Sequence, residues 1–336
     1  MRVSVILTVL NEGESVRAVL ESLAAQTRLP DEVVVCDGGS RDDTLAVLRE
    51  CARDLARDLA PRLRLKLIEA PGANISQGRN AAIRAASGEI IAVTDAGVRC
   101  EPEWLERLLA PFGETDDHRA QTAVVAVAGF FRSDPQTVFE VALGATTLPE
   151  AREINPQTYL PSSRSVAFRR SVWEAVGGYP EWLDYCEDVV FDLNVRRRFG
   201  PFHFVPEALV HFRPRRSLRA FARQYFQYAR GDGKANLFPR QHAVRYFAYL
   251  VVAPLLFYAA LFVNPWLWLL AAVAGLAYVR LPLRRAWPRL KTLSWHDRLR
   301  VLALIPIIRI TGDVAKMLGY PVGVWWRLSG QQTRSG

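Results

Sequence analysis

Short β-branched runs alternate with longer amphipathic stretches over the first hundred residues. Residues 3–8 (Val-Ser-Val-Ile-Leu-Thr) read as a strand, and 14–26 as a helix with Val16, Val19, Leu20 and Leu23 on one face. A second strand, 32–36, runs into the turn-rich stretch 37–43. Residues 44–59 then read as helix, 65–69 as extended, 77–86 as helix and 89–94 as strand. This alternation predicts βαβ units and a mostly parallel, Rossmann-like sheet, with any ligand beyond the carboxyl ends of the strands.

The pattern loosens afterwards. Residues 123–129 and 165–168 read as strands separated by a long excursion, 132–162. Residues 170–176 form a helix stopped by Gly177-Gly178, and another helix opens at Glu187-Asp188 and runs through Phe199. An acidic pair in a first helical turn suits the positive helix N-terminus by itself, and it also suits general acid–base work.

Beyond residue 212 the pattern changes character. In 217–230, Leu218, Phe221, Ala222, Tyr225 and Ala229 recur at helical spacing among Arg215, Arg216, Arg219 and Arg223, as in a helix lying on an anionic lipid surface or in a packed soluble helix with a basic outer face. Residues 246–279 hold no charged side chain. As one helix they would reach about 50 Å, well beyond a hydrocarbon core of roughly 30 Å. Asn264-Pro265 breaks the run, which predicts a hairpin of two spans, 246–263 and 266–281. Arginines flank both ends (Arg240 and Arg245; Arg280, Arg284, Arg285 and Arg289), which places both ends in the cytosol. The stretch 299–320 is apolar but carries Pro306, Arg309, Asp313 and Lys316, and reads as re-entrant or interfacial.

Charge sharpens this division. Residues 1–212 carry 23 Lys and Arg against 31 Asp and Glu, whereas 213–336 carry 20 against 3. A uniformly basic chain would point to nucleic acid. An acidic domain followed by a basic, apolar region points instead to membrane lipids. With half of its 336 residues apolar, the chain is not disordered. Cys36, Cys51, Cys100 and Cys186 lack metal-finger or redox spacing and read as single thiols. Residues 3–10 are interrupted by Asn11-Glu12 with no cleavage site, so they do not read as a secretory signal.

The stretches just past the predicted strands (9–12, 37–43, 70–74 and 95–97) collect carboxylates, amides and glycines. Each suits a structural turn; on one edge of one sheet they suit a nucleotide or phosphate site. A carboxylate such as Asp37 can accept from a base N–H or a ribose hydroxyl, and the planar fork of Arg79 matches phosphate. Asp95 can offer a carboxylate to Mg²⁺ or Mn²⁺.

Five pieces in order resemble family 2 glycosyltransferases of the GT-A fold over about residues 1–235. They are 4–12 with Asn11-Glu12, the loop from Asp37 through Ser40 and Asp42 to Thr44, Arg79-Asn80 followed by 87–89, Glu187-Asp188, and Gln227 with Arg230. The resemblance implies a GT-A domain at 1–235 and a membrane region at 236–330. It implies binding roles for Thr8, Asn11, Glu12, Asp37, Arg79, Asn80, Gln227 and Arg230. It further implies a divalent cation on Asp95 and His211, Asp188 as the general base and Glu187 as its companion. The chain departs from the family's Asp-x-Asp at Asp95-Ala96-Gly97, and Arg230 is followed by Gly231 where membrane-bound members carry Trp.

The expectation is an inverting enzyme of the cytoplasmic membrane, multi-pass, with its catalytic domain in the cytosol. It would move sugar from a nucleotide-sugar donor to a lipid-linked or membrane-proximal acceptor in envelope or exopolysaccharide synthesis. A polyprenyl-phosphate sugar synthase and a membrane-bound nucleotide-sugar sensor or scaffold are the alternatives.

Overall fold

The computed structural model describes residues 1–59, 63–113 and 124–330. The chain forms two compact units. The first contains residues 1–132 and 151–212, and the second 133–150 and 213–336. The expected boundary at 235 falls elsewhere than this division.

The first unit opens with β1 (Val3–Val9), α1 (Gly13–Ala24), β2 (Glu32–Asp37), α2 (Thr44–Leu59), β3 (Arg64–Glu69), α3 (Ile75–Ala85) and β4 (Ile90–Val93). It continues with β5 (Val98–Cys100), α4 (Trp104–Gly113) and β6 (Ala126–Ser133); residue 123, expected to start this last strand, lies outside the described residues. The eight-stranded sheet has the order β3-β2-β1-β4-β7-β6-β8-β5, where β7 is Val166–Arg169 and β8 His203–Phe212. Pairing is parallel from β3 to β4 and antiparallel at β4–β7, β7–β6 and β8–β5. The expected mostly parallel sheet is thus a mixed one. Its first four strands return through crossover helices, and the later ones enter from the other end.

Helices cover both faces, so the central strands are apolar throughout. On β1, Val3, Val5, Leu7 and Val9 pack with α1 and α4, while Ile6 packs on the opposite side with Val34, Cys36 and Ile83 of α3. The register Val9↔Asp37 and Asp37↔Glu69 brings the carboxyl ends of β1, β2 and β3 level. All four cysteines are free and buried. Burial pushes the Cys36 and Cys100 thiols up to about 11 and about 12, so they act as small apolar groups.

Two helices complete the first unit, α6 (Arg170–Val176) and α7 (Glu187–Phe199). The loop between them is stitched to α3. Asn74 and Ser76 donate to the carbonyls of Glu181 and Leu183, at 2.7 and 2.9 Å. This fixes where the N-terminus of α7 falls.

The second unit is helical: α5 (Val138–Thr147), α8 (Leu218–Ala235), α9 (Pro239–Phe247), α10 (Ala253–Phe262), α11 (Leu267–Leu290) and α12 (Trp295–Leu328). A short π-helical segment, Ala248–Val252, joins α9 to α10. Glycines set the packing of α12 on α8. A Cβ at Gly319 would overlap the Phe226 carbonyl, and one at Gly323 the Arg230 carbonyl. Ala142 and Leu143 of α5 fill the space beside Leu290, Val301 and Ile305. These contacts draw 133–150 and 218–235 into this unit.

Two helical runs, Pro239–Phe262 and Leu267–Leu290, are long and apolar enough to cross a membrane, with mean hydropathy of 1.7 and 1.4 in their most apolar stretches. The break falls at Asn264-Pro265 as expected, where the Asn264 side chain accepts the Trp266 N–H at 3.0 Å. Phe257 and Trp268 meet edge to face across it, with ring centroids 5.2 Å apart. The stretch 299–320, read as re-entrant or interfacial, lies within one 34-residue helix that runs through Pro306 and Pro321. Its charges turn inward. Asp313 accepts from Arg245 at 2.8 Å, Tyr249 at 3.0 Å and Tyr278 at 2.6 Å, while Arg309 lies 4.4 Å from the Tyr278 ring centre. Leu299, Ile307, Ile310, Val314, Leu318 and Val322 are exposed.

Candidate active site

The carboxyl ends of the parallel strands carry two interlocked turns. Asp37 is fully buried, and its carboxylate accepts the N–H groups of Gly39 and Ser40 at 2.9 Å and the Ser40 hydroxyl at 2.5 Å. Asn11 adopts the left-handed conformation (φ 56°). Its N–H donates to Ser40 Oγ, and its side chain accepts the Arg41 N–H, both at 2.9 Å. Glu12 donates its N–H to Thr44 Oγ1 at 2.8 Å, and its carboxylate accepts from Ser15. Asp42 accepts from Thr44 N and Oγ1 and lies below the usual carboxylate range because of these bonds. Asp37 therefore shapes the loop with the oxygens expected to meet a base or ribose. Thr8, half-buried at the end of β1, turns its methyl toward α3, where a Cβ at Gly78 would come within 2.9 Å.

Arg79 lies deep in the unit with 3% of its side chain exposed. Its Nη1 donates to Glu187 Oε1 at 2.5 Å and its Nη2 to Asp95 Oδ1 at 3.1 Å, and its guanidinium stands over the Tyr179 ring. It thus joins α3 to the end of β4 and the first turn of α7. Asn80 likewise serves the scaffold. Its amide donates to Tyr179 O and Glu181 Oε1 and accepts from Trp173 and Tyr179 N, all within 3.0 Å.

The expected acidic pair is present and its members differ. Glu187 is buried; burial, then the charge of Asp188, pushes its carboxyl up to about 7 against the opposing pull of Arg79. Asp188 is half-buried and keeps access to solvent. One helical turn on, Asp192 is buried, and its Oδ2 has no hydrogen-bond partner. Burial and then the charge of Asp188 push the Asp192 carboxyl well above the usual carboxylate range. Its spacing of four from Asp188 was readable in the sequence; its burial was not.

Asp95 meets a second guanidinium that sequence reasoning missed. Arg164 Nε lies 3.8 Å from Asp95 Oδ2. No spacing pattern marks Arg164, which precedes β7 by two residues and reaches Asp95 only through the fold. The expected partner His211 lies on β8, with its Nε2 2.8 Å from Glu101 Oε1. Among the described residues no three His, Cys, Asp or Glu side chains gather as a metal cage. Gln227 and Arg230 lie on α8 in the second unit, where Gln227 Oε1 is buried without a hydrogen-bond partner.

A mixed α/β sheet with acidic residues at the strand ends is the architecture of GT-A enzymes. The mannosyltransferase PcManGT from Pyrobaculum calidifontis, solved in complex with GDP-Man and Mn²⁺, shares the fold. It matches with a TM-score of 0.55 and 21% identity, over 94% of this chain and 87% of that one. The fold is GT-A. The model of Glycosyl transferase family 2 matches residues 4–177, and the chain belongs to that family. It is a glycosyltransferase. Relatives include the succinoglycan biosynthesis protein ExoA of Rhizobium meliloti (strain 1021), 28% identical over 277 residues that cover 78% of this chain and 79% of that protein. The O-antigen chain rhamnosyltransferase RfbN of Salmonella typhimurium is 22% identical over 237 residues, covering 67% and 71%.

Proposed function

We propose that the chain is a membrane-anchored, inverting glycosyltransferase. It transfers a sugar from a nucleotide-sugar donor to a lipid-linked or membrane-proximal acceptor during envelope or exopolysaccharide assembly. The observation that carries this reading is the contrast within the acidic pair. Glu187 is buried and locked to Arg79, while Asp188 beside it stays half-exposed and able to take a proton.

Asp188 removes the proton from the acceptor hydroxyl as that oxygen attacks the anomeric carbon, and the nucleoside diphosphate departs from the opposite face. Such a base contributes typically 10²–10⁴-fold. Glu187 and Arg79 hold the first turn of α7 so that Asp188 is aimed. Asn11, Glu12 and the loop shaped by Asp37 form the nucleotide side, and Thr8 and Asn80 support it from below. Gln227 and Arg230 serve the acceptor.

Asp95 supplies one carboxylate, Gly97 none, and His211 is engaged with Glu101. Asp95 would hold a hard divalent cation through this single carboxylate. When bound, Mn²⁺ or Mg²⁺ offsets charge on the leaving diphosphate. The Mn²⁺ in the PcManGT complex supports this part of the reading.

Membrane attachment is supported by the two apolar runs, of which Phe262, Val263 and Trp266 at the turn are each more than 70% exposed. The relatives in succinoglycan and O-antigen synthesis support an envelope or exopolysaccharide acceptor. The test is a panel of nucleotide sugars screened for thermal stabilisation, with and without Mn²⁺, followed by transfer of the bound sugar to extracted membrane lipids. Any donor that prefers the folded state raises the melting temperature. Hydrolysis without transfer to any lipid fraction would remove the lipid-linked acceptor from the reading.

A further inference from the structure

The first unit places two guanidinium groups on the two oxygens of Asp95, and they differ in what they have left to offer. Arg79 has 3% of its side chain exposed and spends both terminal nitrogens on Glu187 and Asp95. It is a strut. Arg164 is 24% exposed, and its only tie to Asp95 is a loose ion pair at 3.8 Å. Ser162 Oγ, 2.9 Å from Nη1, is its one side-chain hydrogen-bond acceptor among the described residues. A guanidinium carries five N–H donors, so Arg164 retains donors for a ligand.

The group is also built into place. Its guanidinium carbon lies 4.5 Å from the Phe212 ring centre and 5.8 Å from that of Phe131. Stacking on rings holds the plane of an arginine without consuming its donors. Its backbone carbonyl accepts the Thr94 hydroxyl at 2.9 Å, which pins it to the residue just before Asp95. An exposed ion pair gains little stability, so the Asp95 contact alone does not account for two ring faces and a backbone clamp around one side chain.

The sequence adds the complementary observation. Where a second carboxylate would recruit a divalent cation, this chain has Gly97, and a Cβ there would meet nothing within 4 Å. The position has room for an acid and lacks one. Arg164 stands 3.8 Å from Asp95 Oδ2 with a fixed positive charge.

We propose that Arg164 is a donor-binding residue whose guanidinium meets the diphosphate beside Asp95. It adds there a fixed positive charge beside the cation that Asp95 alone would hold. Its planar fork suits two phosphate oxygens, which a point charge does not reproduce. The proposal rests on the nucleotide-sugar reading above and concerns diphosphate binding alone.

Titration calorimetry on the full chain in detergent tests it, with pyrophosphate, UDP and GDP as probes, in EDTA and in Mn²⁺. Wild type is expected to bind at least one probe in EDTA. Arg164→Ala should weaken that binding by about 10- to 100-fold, the worth of hydrogen bonds to a charged group. Arg164→Lys should recover only part of it. In Gly97→Asp/Arg164→Ala, binding should return in Mn²⁺ and stay weak in EDTA. Melting curves establish that each variant folds, and Arg164→Gln, which keeps the stem over the rings, replaces the alanine variant if that one does not. Folded Ala and Gln variants with wild-type affinity in EDTA would overturn the role of Arg164 and leave the nucleotide-sugar reading standing. Wild type that binds probes only in Mn²⁺ would overturn it equally. Wild type that binds none of the probes in either condition would overturn both.

Discussion

Arg79 and Glu187 are 108 residues apart in the chain and 2.5 Å apart in space, in a contact that is almost wholly buried. The pair is a joint between the parallel half of the sheet and the helix that bears the acidic pair. A buried charge deprived of its partner costs far more than the pair gains. Arg79→Met is therefore expected to destabilise the chain by about 3–5 kcal/mol, and Glu187→Leu, which leaves Arg79 its bond to Asp95, by less. The double variant should regain most of that loss while remaining inactive. Urea titrations of the four proteins check it. Additive losses in the double variant would mean that the two side chains are not coupled.

Asp188→Asn should lower transfer by at least about 10²-fold, as expected for loss of a general base. Nucleotide binding should stay near wild type, because the proposed base acts on the acceptor. Parallel measurement of turnover and of nucleotide affinity separates the two. A variant retaining more than about a tenth of wild-type turnover would assign the proton to another group.

Carboxyl groups raised in the folded state give a definite sign for the pH dependence. Burial first and the charge of Asp188 second push the Glu187 carboxyl up to about 7 and that of Asp192 well above its usual range. An unfolded carboxyl titrates near about 4. Between those values the native state binds more protons than the unfolded one. Stability from these two groups is thus full below about pH 4 and falls as pH rises toward about 7 and beyond. Asp192→Asn, neutral and of the same shape, should lessen the decline of melting temperature between about pH 5 and about pH 8. An unchanged slope would mean that Asp192 is ionised in the native state.

Much of this scaffold was legible in the sequence. The helices expected at 44–59 and 170–176 coincide with α2 and α6, and the strands of the parallel half fall within two residues of expectation. There the apolar period and the turn residues agree. The antiparallel strands were harder to read. β5 has three residues, and the ten residues of β8 show no clean alternation, with Phe202, Ala208, Leu209 and Val210 buried around exposed His203 and Glu207. Asp37, Arg79 and Asn80 stood out in the sequence as candidate site residues, but the partners they meet in the structure lie across loops or on distant elements. Whether such a side chain faces a ligand or braces the backbone is decided by contacts that sequence spacing does not carry. Arg164 had no local signal at all.

The packing of α12 on α8 depends on bare backbone. Gly319→Ala and Gly323→Ala each drive a methyl into a main-chain carbonyl of α8, which cannot rotate away. Each should cost about 1–3 kcal/mol through overpacking. Gly275→Ala on α11 meets open space and should be neutral or slightly stabilising, since alanine favours helix. Thermal unfolding in detergent compares the three. Equal behaviour at all three positions would mean that α8 and α12 separate in solution.

Topology gives the last expectation. The helical runs Pro239–Phe262 and Leu267–Leu290 are joined by a turn whose Trp266 is 74% exposed. Arginines lie only toward the far ends, at Arg240 and Arg245 on one run and from Arg280 onward on the other. An excess of Lys and Arg marks the cytoplasmic side, so both far ends should stay inside and only the turn should emerge. The native cysteines are all buried, so introduced ones report without interference. A membrane-impermeant maleimide applied to intact cells should label Asn264→Cys. It should leave Arg240→Cys and Arg285→Cys untouched until the membrane is opened. Labelling of Arg285→Cys from outside would mean that the apolar region crosses once, with the second run lying on the surface, and the hairpin would be lost.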